Sequence, residues 1–123
     1  PAVGTVPEVS KDDKLAYGAY LAGPLGHCVE CHSPMGPMGP DWRNQLGAGG
    51  LPFHGPWGIS YGSNITPTSL GSWSDSEIKA AITEGGRPDG SRLRPPMPVG
   101  YYQNIAADDL DALVAYLRSR PAK

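Results

Sequence analysis

Aromatic bulk and long apolar runs are scarce in this chain. Its 123 residues include a single phenylalanine and are 39% hydrophobic, so a core made of side chains alone would be thin. No apolar run approaches the roughly 20 residues that a membrane-spanning helix needs. We therefore expect no transmembrane segment in this chain.

Basic residues and cysteines are few as well. Ten Lys and Arg against twelve Asp and Glu give a net charge of −2, which leaves no basic field for a nucleic acid. Two cysteines, close together in the sequence, cannot form a disulfide framework and must act locally. Residues 1–10 lack the basic start and the apolar stretch of a signal peptide, and we expect them to be an N-terminal extension to one domain, residues 11–123.

Glycine and proline are abundant, and they separate segments with clear helical periods. The 17 glycines and 14 prolines make up about a quarter of the chain, close to the level found in disordered proteins. The helical periods argue against disorder. A thin core combined with well-defined helices indicates that a large apolar cofactor occupies the centre of the domain.

The first helix is predicted over residues 11–23 from its capping residues and apolar spacing. Ser10 would be its N-cap, and Gly23-Pro24 would end it. Gly18 would allow another helix to approach closely. Its buried face would carry Leu15, Ala19 and Ala22.

Two further helices have stronger signals. Asp75–Glu84 follows a capping box made by Ser74 and Glu77. Ala107–Ser119 carries the clearest helical period in the chain, formed by Leu110, Leu113, Val114 and Leu117. Residues 33–67 show no strand pattern and are expected to be a long loop, which is uncommon in a compact domain unless it wraps a ligand. The fold class is therefore predicted as all-α, with three to four helices and long loops wrapped around one ligand.

The most specific motif is Cys28-Val29-Glu30-Cys31-His32, a C-x-x-C-H sequence typical of covalent haem attachment. On a helical turn, residues three apart project to the same side, so both thiols can form thioethers with the two vinyl groups of one porphyrin. His32 would then present its imidazole to the iron. The motif predicts one covalently bound haem c, held by Cys28, Cys31 and His32.

Two alternatives use the same cysteines. A structural zinc site could combine them with two of His27, His32 and His54, although these ligands lack the paired spacing of zinc modules. A thioredoxin-like redox pair would need a strand-turn-helix context, and the sequence has no strand pattern. Haem attachment is the preferred interpretation.

The chain also resembles class I c-type cytochromes, and more narrowly the cytochrome domains of membrane-associated alcohol and gluconate dehydrogenase complexes. The resemblance covers roughly residues 14–121, and its pieces occur in the family's order. Besides the haem motif, these pieces are Tyr20-Leu21, Gly26-His27-Cys28, Asn64-Ile65-Thr66-Pro67, Trp73-Ser74-Asp75, Asp89-Gly90, Pro96-Met97-Pro98 and Ala115-Tyr116-Leu117-Arg118. The chain departs from the family at Thr68, where Asp is usual, and at Ala106, where Ser or Thr is usual. It also shows one such domain where the complexes carry several.

The resemblance implies a class I cytochrome c fold and a methionine as the second axial ligand of the iron. Met97 is the candidate, because Pro96 and Pro98 stiffen the turn that carries it. The alternative for Met97 is a core residue. Met35 and Met38 would need a tight chain reversal around the porphyrin to reach its far face.

Two histidines lie outside the motif. His54 is the main rival as axial ligand, and its alternative is an exposed loop residue. His27 is adjacent to the motif, cannot wrap over the ring, and is expected at the surface as a hydrogen-bond donor.

Further side chains are expected around the haem. Haem propionates are anionic and need hydrogen-bond donors, and the alternative for each arginine is a solvated surface charge. Tyr102 is expected to pack over the haem beside Met97, as an aromatic residue does in similar proteins. The candidate donors are Arg92, Arg94, Trp57, Tyr61 and Asn64.

An iron with histidine and methionine ligands has no open position for a substrate, so the chain is expected not to be an enzyme. Its predicted function is to carry single electrons between a periplasmic dehydrogenase and a respiratory acceptor. We expect a periplasmic protein whose signal peptide is absent from this chain. Its expected partners are redox proteins, a dehydrogenase as electron donor and an oxidase or another cytochrome as acceptor. We expect these partners to dock near Arg87, Arg92 and Arg94. The competing class is a haem enzyme or gas sensor with a labile sixth iron position.

Overall fold

The computed structural model describes residues 3–123 as a mainly helical domain with two small sheets. Within these residues there are six α-helices, three of them single turns, and one π-helical turn. The helices are α1 (Lys14–Tyr20), α2 (Cys28–Cys31), α3 (Pro67–Leu70), α4 (Asp75–Glu84), α5 (Val99–Tyr102) and α6 (Ala107–Ser119). The π-helical turn, Leu21–Leu25, continues directly from α1.

Helix α1 begins later than predicted. The side chain of Asp13 caps it by accepting a hydrogen bond from the Ala16 amide at 3.0 Å. Ser10 is not the cap, because its hydroxyl accepts from the Asp12 amide ahead of the helix. The prediction that Leu15 is buried is also wrong, since 48% of Leu15 is exposed.

The chain does not end its first helical segment at Gly23-Pro24 as predicted. Proline has no amide hydrogen, and its ring clashes with the carbonyl four residues earlier in an α-helix. The wider π-helical turn accommodates Pro24, and the Gly26 amide closes it by donating to the Leu21 carbonyl at 2.7 Å. This turn ends shortly before Cys28 and brings the motif to the edge of the helical core.

The spans predicted for α4 and α6 are confirmed. Both halves of the capping box are present, since Ser74 Oγ accepts from the Glu77 amide at 3.1 Å and Glu77 Oε2 accepts from the Ser74 amide at 2.8 Å. Gly85 ends α4 in the left-handed conformation, with φ of 75°. Ala106 has no side chain with which to cap α6, yet the apolar face of that helix is buried in the core.

Residues 33–67 contain two β-hairpins and end at the first residue of α3, so the prediction of one structureless loop is wrong. The two antiparallel pairs are β1 (Met35–Gly36) with β2 (Gly39–Pro40), and β3 (Pro52–Gly55) with β4 (Gly58–Tyr61). These strands are short and rich in proline and glycine, so they show no usable alternation of apolar residues. Helices are the main regular element, but the predicted all-α class with three to four helices and long loops is not confirmed, because residues 3–123 contain six α-helices and two small sheets.

The core lies where α1 crosses α6. A Cβ built on Gly18 would lie 2.2 Å from the Ala112 carbonyl oxygen and 2.6 Å from Tyr116 Cβ, a separation that only glycine allows. The prediction that Gly18 allows another helix to approach closely is thereby confirmed. The buried cluster comprises Leu21, Ala22, Leu70, Ile78, Leu110, Ala112, Leu113, Val114, Tyr116 and Leu117.

The start of the chain adds no regular element. Residues 3–10 of the predicted N-terminal extension have no helix or strand, and Pro1 and Ala2 lie outside the described residues. The longest helix, α6, has 13 residues. Across residues 3–123, none of the helices combines the length and apolar character that crossing a bilayer requires.

Candidate functional site

The C-x-x-C-H motif forms the helical turn α2. His27 precedes it with φ of 56°, a left-handed conformation that few non-glycine residues adopt, and its Nδ1 lies 2.9 Å from Glu30 Oε1. The His32 amide donates to the Cys28 carbonyl at 2.9 Å and so extends the turn by one residue. Cys28, Cys31 and His32 consequently line one wall of a cavity.

This cavity has a volume of about 970 Å³, at the upper end of the range for ligand sites. Its other walls come from the β3–β4 hairpin, the chain between α4 and α5, and helix α6. Most of the lining side chains are apolar, including Leu21, Phe53, Ile65, Ile82, Leu93, Ile105, Leu113 and Leu117. The protein therefore surrounds a large apolar space with the two cysteines and His32 at one side.

His32 is oriented by a backbone carbonyl far away in the sequence. Its Nδ1 donates to the Ser63 carbonyl at 2.7 Å, which fixes the tautomer and leaves the lone pair of Nε2 available to a ligand. Burial lowers the pKa of His32 from its usual value, against the raising effect of this hydrogen bond. A neutral imidazole is the form in which histidine binds iron.

Two glycines let the long loop approach the motif closely. The Gly49 amide donates to the His32 carbonyl at 2.7 Å. A Cβ on Gly62 would lie 2.1 Å from the Cys31 carbonyl oxygen. Sequence reasoning found neither these glycines nor Ser63, because a backbone contact leaves no side-chain signature. The only available signal was the high glycine content of residues 47–62.

Both thiols are in the neutral form at physiological pH. Burial raises the pKa of Cys28 to about 11. Burial, and then the charge of Glu30, raises the pKa of Cys31. Neutral sulfur is compatible with an apolar wall, where a thiolate would be costly. In the part of the chain that the structure describes, no group of three or more His, Cys, Asp or Glu side chains could hold a metal ion, so the zinc alternative has no ligand set there.

Met97 lines the same cavity as His32, from the proline-rich segment that precedes α5. Met35 and Met38 do not line it and are 60% and 99% exposed in the β1–β2 hairpin. His54 is an exposed residue of β3 and does not line the cavity either. Of the four side chains weighed as second axial ligand, Met97 is the one that shares a cavity with His32.

Tyr61, Arg94 and Tyr102 also line the cavity, as the sequence interpretation requires. The Tyr102 hydroxyl donates to the Gly26 carbonyl at 2.6 Å, and this bond ties α5 to the turn just before Cys28. Burial raises the pKa of Tyr102 to about 12, so its hydroxyl keeps its proton and remains a donor.

Asn64 and Arg92 do not line the cavity, although the sequence nominated both. The Asn64 side chain accepts from the Thr66 amide and donates to the Lys123 carbonyl at 2.7 Å. The Arg92 guanidinium donates to the Glu84 carbonyl at 2.6 Å. Both side chains are hydrogen-bond donors, as predicted, but each donates to a backbone carbonyl of the protein itself.

Trp57 lies beside the cavity and not in its lining. Its Nε1–H is buried and has no hydrogen-bond partner among residues 3–123. The Arg94 guanidinium, which does line the cavity, donates to the Trp57 carbonyl at 2.6 Å. An unpaired buried donor is costly, and an anionic group at this edge would satisfy it. The apolar volume, the sulfur and imidazole donors and this unpaired N–H together fit a haem with its propionates.

Similar proteins were found among curated sequences. The chain is 38% identical over 102 residues to the cytochrome c subunit of a quinone alcohol dehydrogenase from Gluconacetobacter polyoxogenes. It is 37% identical over 110 residues to the gluconate 2-dehydrogenase cytochrome c subunit of Pantoea cypripedii. It is 35% identical over 107 residues to a diheme c-type cytochrome of Cereibacter sphaeroides.

These alignments cover most of this chain and a minor part of each relative. They include 80%, 87% and 85% of the chain, but only 20%, 23% and 35% of the respective relatives. The chain thus spans between a fifth and about a third of the length of these relatives. No protein-family model matches the chain.

Proposed function

We propose that this chain, a homologue of the cytochrome c subunits of bacterial dehydrogenases, is a c-type cytochrome domain that carries single electrons and catalyses no reaction of its own. The resemblance deduced from its sequence motifs is confirmed by these relatives. The observation that carries the proposal is the cavity of about 970 Å³ that Cys28, Cys31, His32 and Met97 line together.

When bound, haem c supplies an iron that gains or loses one electron. Cys28 and Cys31 would hold the porphyrin through thioethers, and His32 Nε2 and the Met97 sulfur would bind the iron. The Ser63 carbonyl keeps His32 in the required tautomer. The mostly apolar walls would give a bound haem a low-dielectric environment.

The number of haems, the redox partners and the location are proposed from the single motif and from the names of the relatives. One C-x-x-C-H sequence implies one haem in this domain, although one relative is diheme. Because two of the relatives are cytochrome subunits of dehydrogenases, we propose a dehydrogenase as electron donor and an oxidase or another cytochrome as acceptor. The proposed location is the periplasm, with residues 11–123 as the cytochrome domain.

Haem extraction and ligand substitution test this proposal. We expect the haem to survive acid-acetone extraction and denaturing electrophoresis, whereas Cys28→Ser combined with Cys31→Ser should release it. Met97→Ala should abolish the weak far-red band of a sulfur-iron bond and open the reduced iron to carbon monoxide. Met38→Ala, at a 99% exposed position, is the control and should change neither property. Ready binding of carbon monoxide by the parent protein would instead favour a haem enzyme or gas sensor.

A further inference from the structure

The β3–β4 hairpin and the residues that follow it contact the segments carrying both His32 and Met97. We propose that this hairpin is a brace that fixes the two axial ligands relative to each other, with Ser60 and Arg94 as positioning residues. The inference rests on the proposed function, since it requires that His32 and Met97 bind the same iron.

Two hydrogen bonds join the hairpin to the segment that carries Met97. The Ser60 hydroxyl donates to the Pro95 carbonyl at 2.5 Å. The Arg94 guanidinium donates to the Trp57 carbonyl, in the turn between β3 and β4, at 2.6 Å. The Met97 amide in turn donates to the Arg94 carbonyl at 3.4 Å, so the two ties lie within three residues of the methionine.

The prolines of this segment explain why side chains, and not the backbone, make these hydrogen bonds. Three of the residues around Met97 are Pro95, Pro96 and Pro98, and proline has no amide hydrogen. From 95 to 98 the backbone can therefore donate a single hydrogen bond, that of Met97, and it cannot join a sheet as an extra strand. Ser60 and Arg94 supply from their side chains the contacts that the backbone lacks.

The chain that follows β4 contacts His32, the other proposed ligand of the iron. Three residues after Ser60, the Ser63 carbonyl accepts from His32 Nδ1 at 2.7 Å. Between them the Gly62 amide donates to the Leu51 carbonyl at 2.8 Å, which holds the strand in place. At about 3.3 Å per residue, the two contacts are separated by about 10 Å of extended chain. The short segment from 57 to 63, which includes β4, thus contacts both ligand segments.

The brace should stabilise the bond between Met97 and the iron more than the bond between His32 and the iron. A thioether is a weak neutral ligand, so freedom in its loop directly increases the fraction of molecules with the iron position open. A hydrogen bond between neutral groups changes such an equilibrium by about fivefold, and one from a charged donor by about tenfold or more.

The test uses the haem-loaded protein and carbon monoxide as probe. Ser60→Ala should increase carbon monoxide binding by the reduced protein about fivefold, and Arg94→Gln about tenfold. Hydrogen exchange at the Met97 amide should accelerate in both variants. Ser60→Thr keeps the hydroxyl and should restore the parental values.

Two exposed residues away from the cavity provide matched controls. Ser72→Ala removes a hydroxyl and Arg43→Gln removes a positive charge, and both should behave like the parent. The brace is refuted if Ser60→Ala and Arg94→Gln bind carbon monoxide at the parental level, or if the controls change it equally. Absence of the far-red band from the parent would overturn the Met97 assignment, and the brace with it. An intact band with parent-like variants would overturn the brace alone.

Discussion

Gly18 lies at the crossing of α1 and α6, and the substitution Gly18→Ala puts the packing there to a quantitative test. Alanine is favoured over glycine inside a helix by about 1 kcal/mol, so in an open position this change would stabilise the protein. At Gly18 the added Cβ would lie 2.2 Å from the Ala112 carbonyl oxygen and 2.6 Å from Tyr116 Cβ. Neither atom can rotate away, because one belongs to the backbone and the other is attached to it.

The two helices must therefore move apart to admit the methyl group. Overpacking of a core typically costs about 1–3 kcal/mol, and contact with backbone atoms favours the upper part of that range. After subtracting the gain in helix propensity, we expect the free energy of unfolding to fall by about 2 kcal/mol. For a domain of this size that corresponds to a drop in Tm of the order of 8 °C.

Urea unfolding, followed by far-ultraviolet circular dichroism and by Soret absorbance, measures this change. Gly23→Ala is the matched control, because no atom lies within 4 Å of a Cβ built there. It should be neutral or stabilising by up to about 1 kcal/mol. If Gly18→Ala is as stable as the parent, or if Gly23→Ala loses as much stability, then close approach at Gly18 does not control the crossing.

Three further predictions concern single side chains. Ser74→Ala removes the capping box of α4 and should lower the free energy of unfolding, measured in urea titrations, by about 1 kcal/mol. An equal loss of stability in Ser76→Ala would contradict this explanation. Tyr102→Phe should lower it by about 1 kcal/mol, because the hydrogen bond to the Gly26 carbonyl is lost, whereas Tyr101→Phe, at an 81% exposed position, should have no effect. Arg87→Gln should slow oxidation by the ferricyanide anion at low salt about twofold, because Arg87 lines the cavity, and the difference should vanish at high salt. A salt-independent difference in stopped-flow rates would exclude this electrostatic explanation.

The elements that could be predicted from the sequence are those specified by local interactions. Helix α4 is bounded by a capping box and by Gly85, and α6 by an apolar period over three turns, so their ends follow from neighbouring residues. The single-turn helices α3 and α5 are too short for a period to be visible. The two hairpins are stabilised by pairing and by tertiary contacts, neither of which a local pattern reports.

The site was predictable to the extent that side chains form it. Cys28, Cys31 and His32 follow from a motif, and Met97 follows from the resemblance to class I cytochromes together with its place between two prolines. The assignment of Asn64 to the propionates rests on its donor chemistry alone, and the sequence could not show that the side chain donates to the Lys123 carbonyl. The Ser63 carbonyl that orients His32 could not be predicted. Every residue has a backbone carbonyl, so the residue type does not mark this one as a hydrogen-bond partner.

The distribution of burial divides the domain into two halves with different sources of stability. The buried apolar cluster belongs to the π-helical turn, α3, α4 and α6, and the partly buried Tyr17 and Ala19 of α1 pack against it. In contrast, no residue is fully buried in the β3–β4 hairpin, from 52 to 61, or in the segment from 86 to 105 that carries Met97. The hairpin and this segment form cavity walls and contain no fully buried residue, so a bound haem would supply apolar contacts that they lack. Substitutions in the helical half should therefore act mainly on the free energy of unfolding. Substitutions at Ser60 or Arg94 should act mainly on the ligands of the iron, and so on the spectrum.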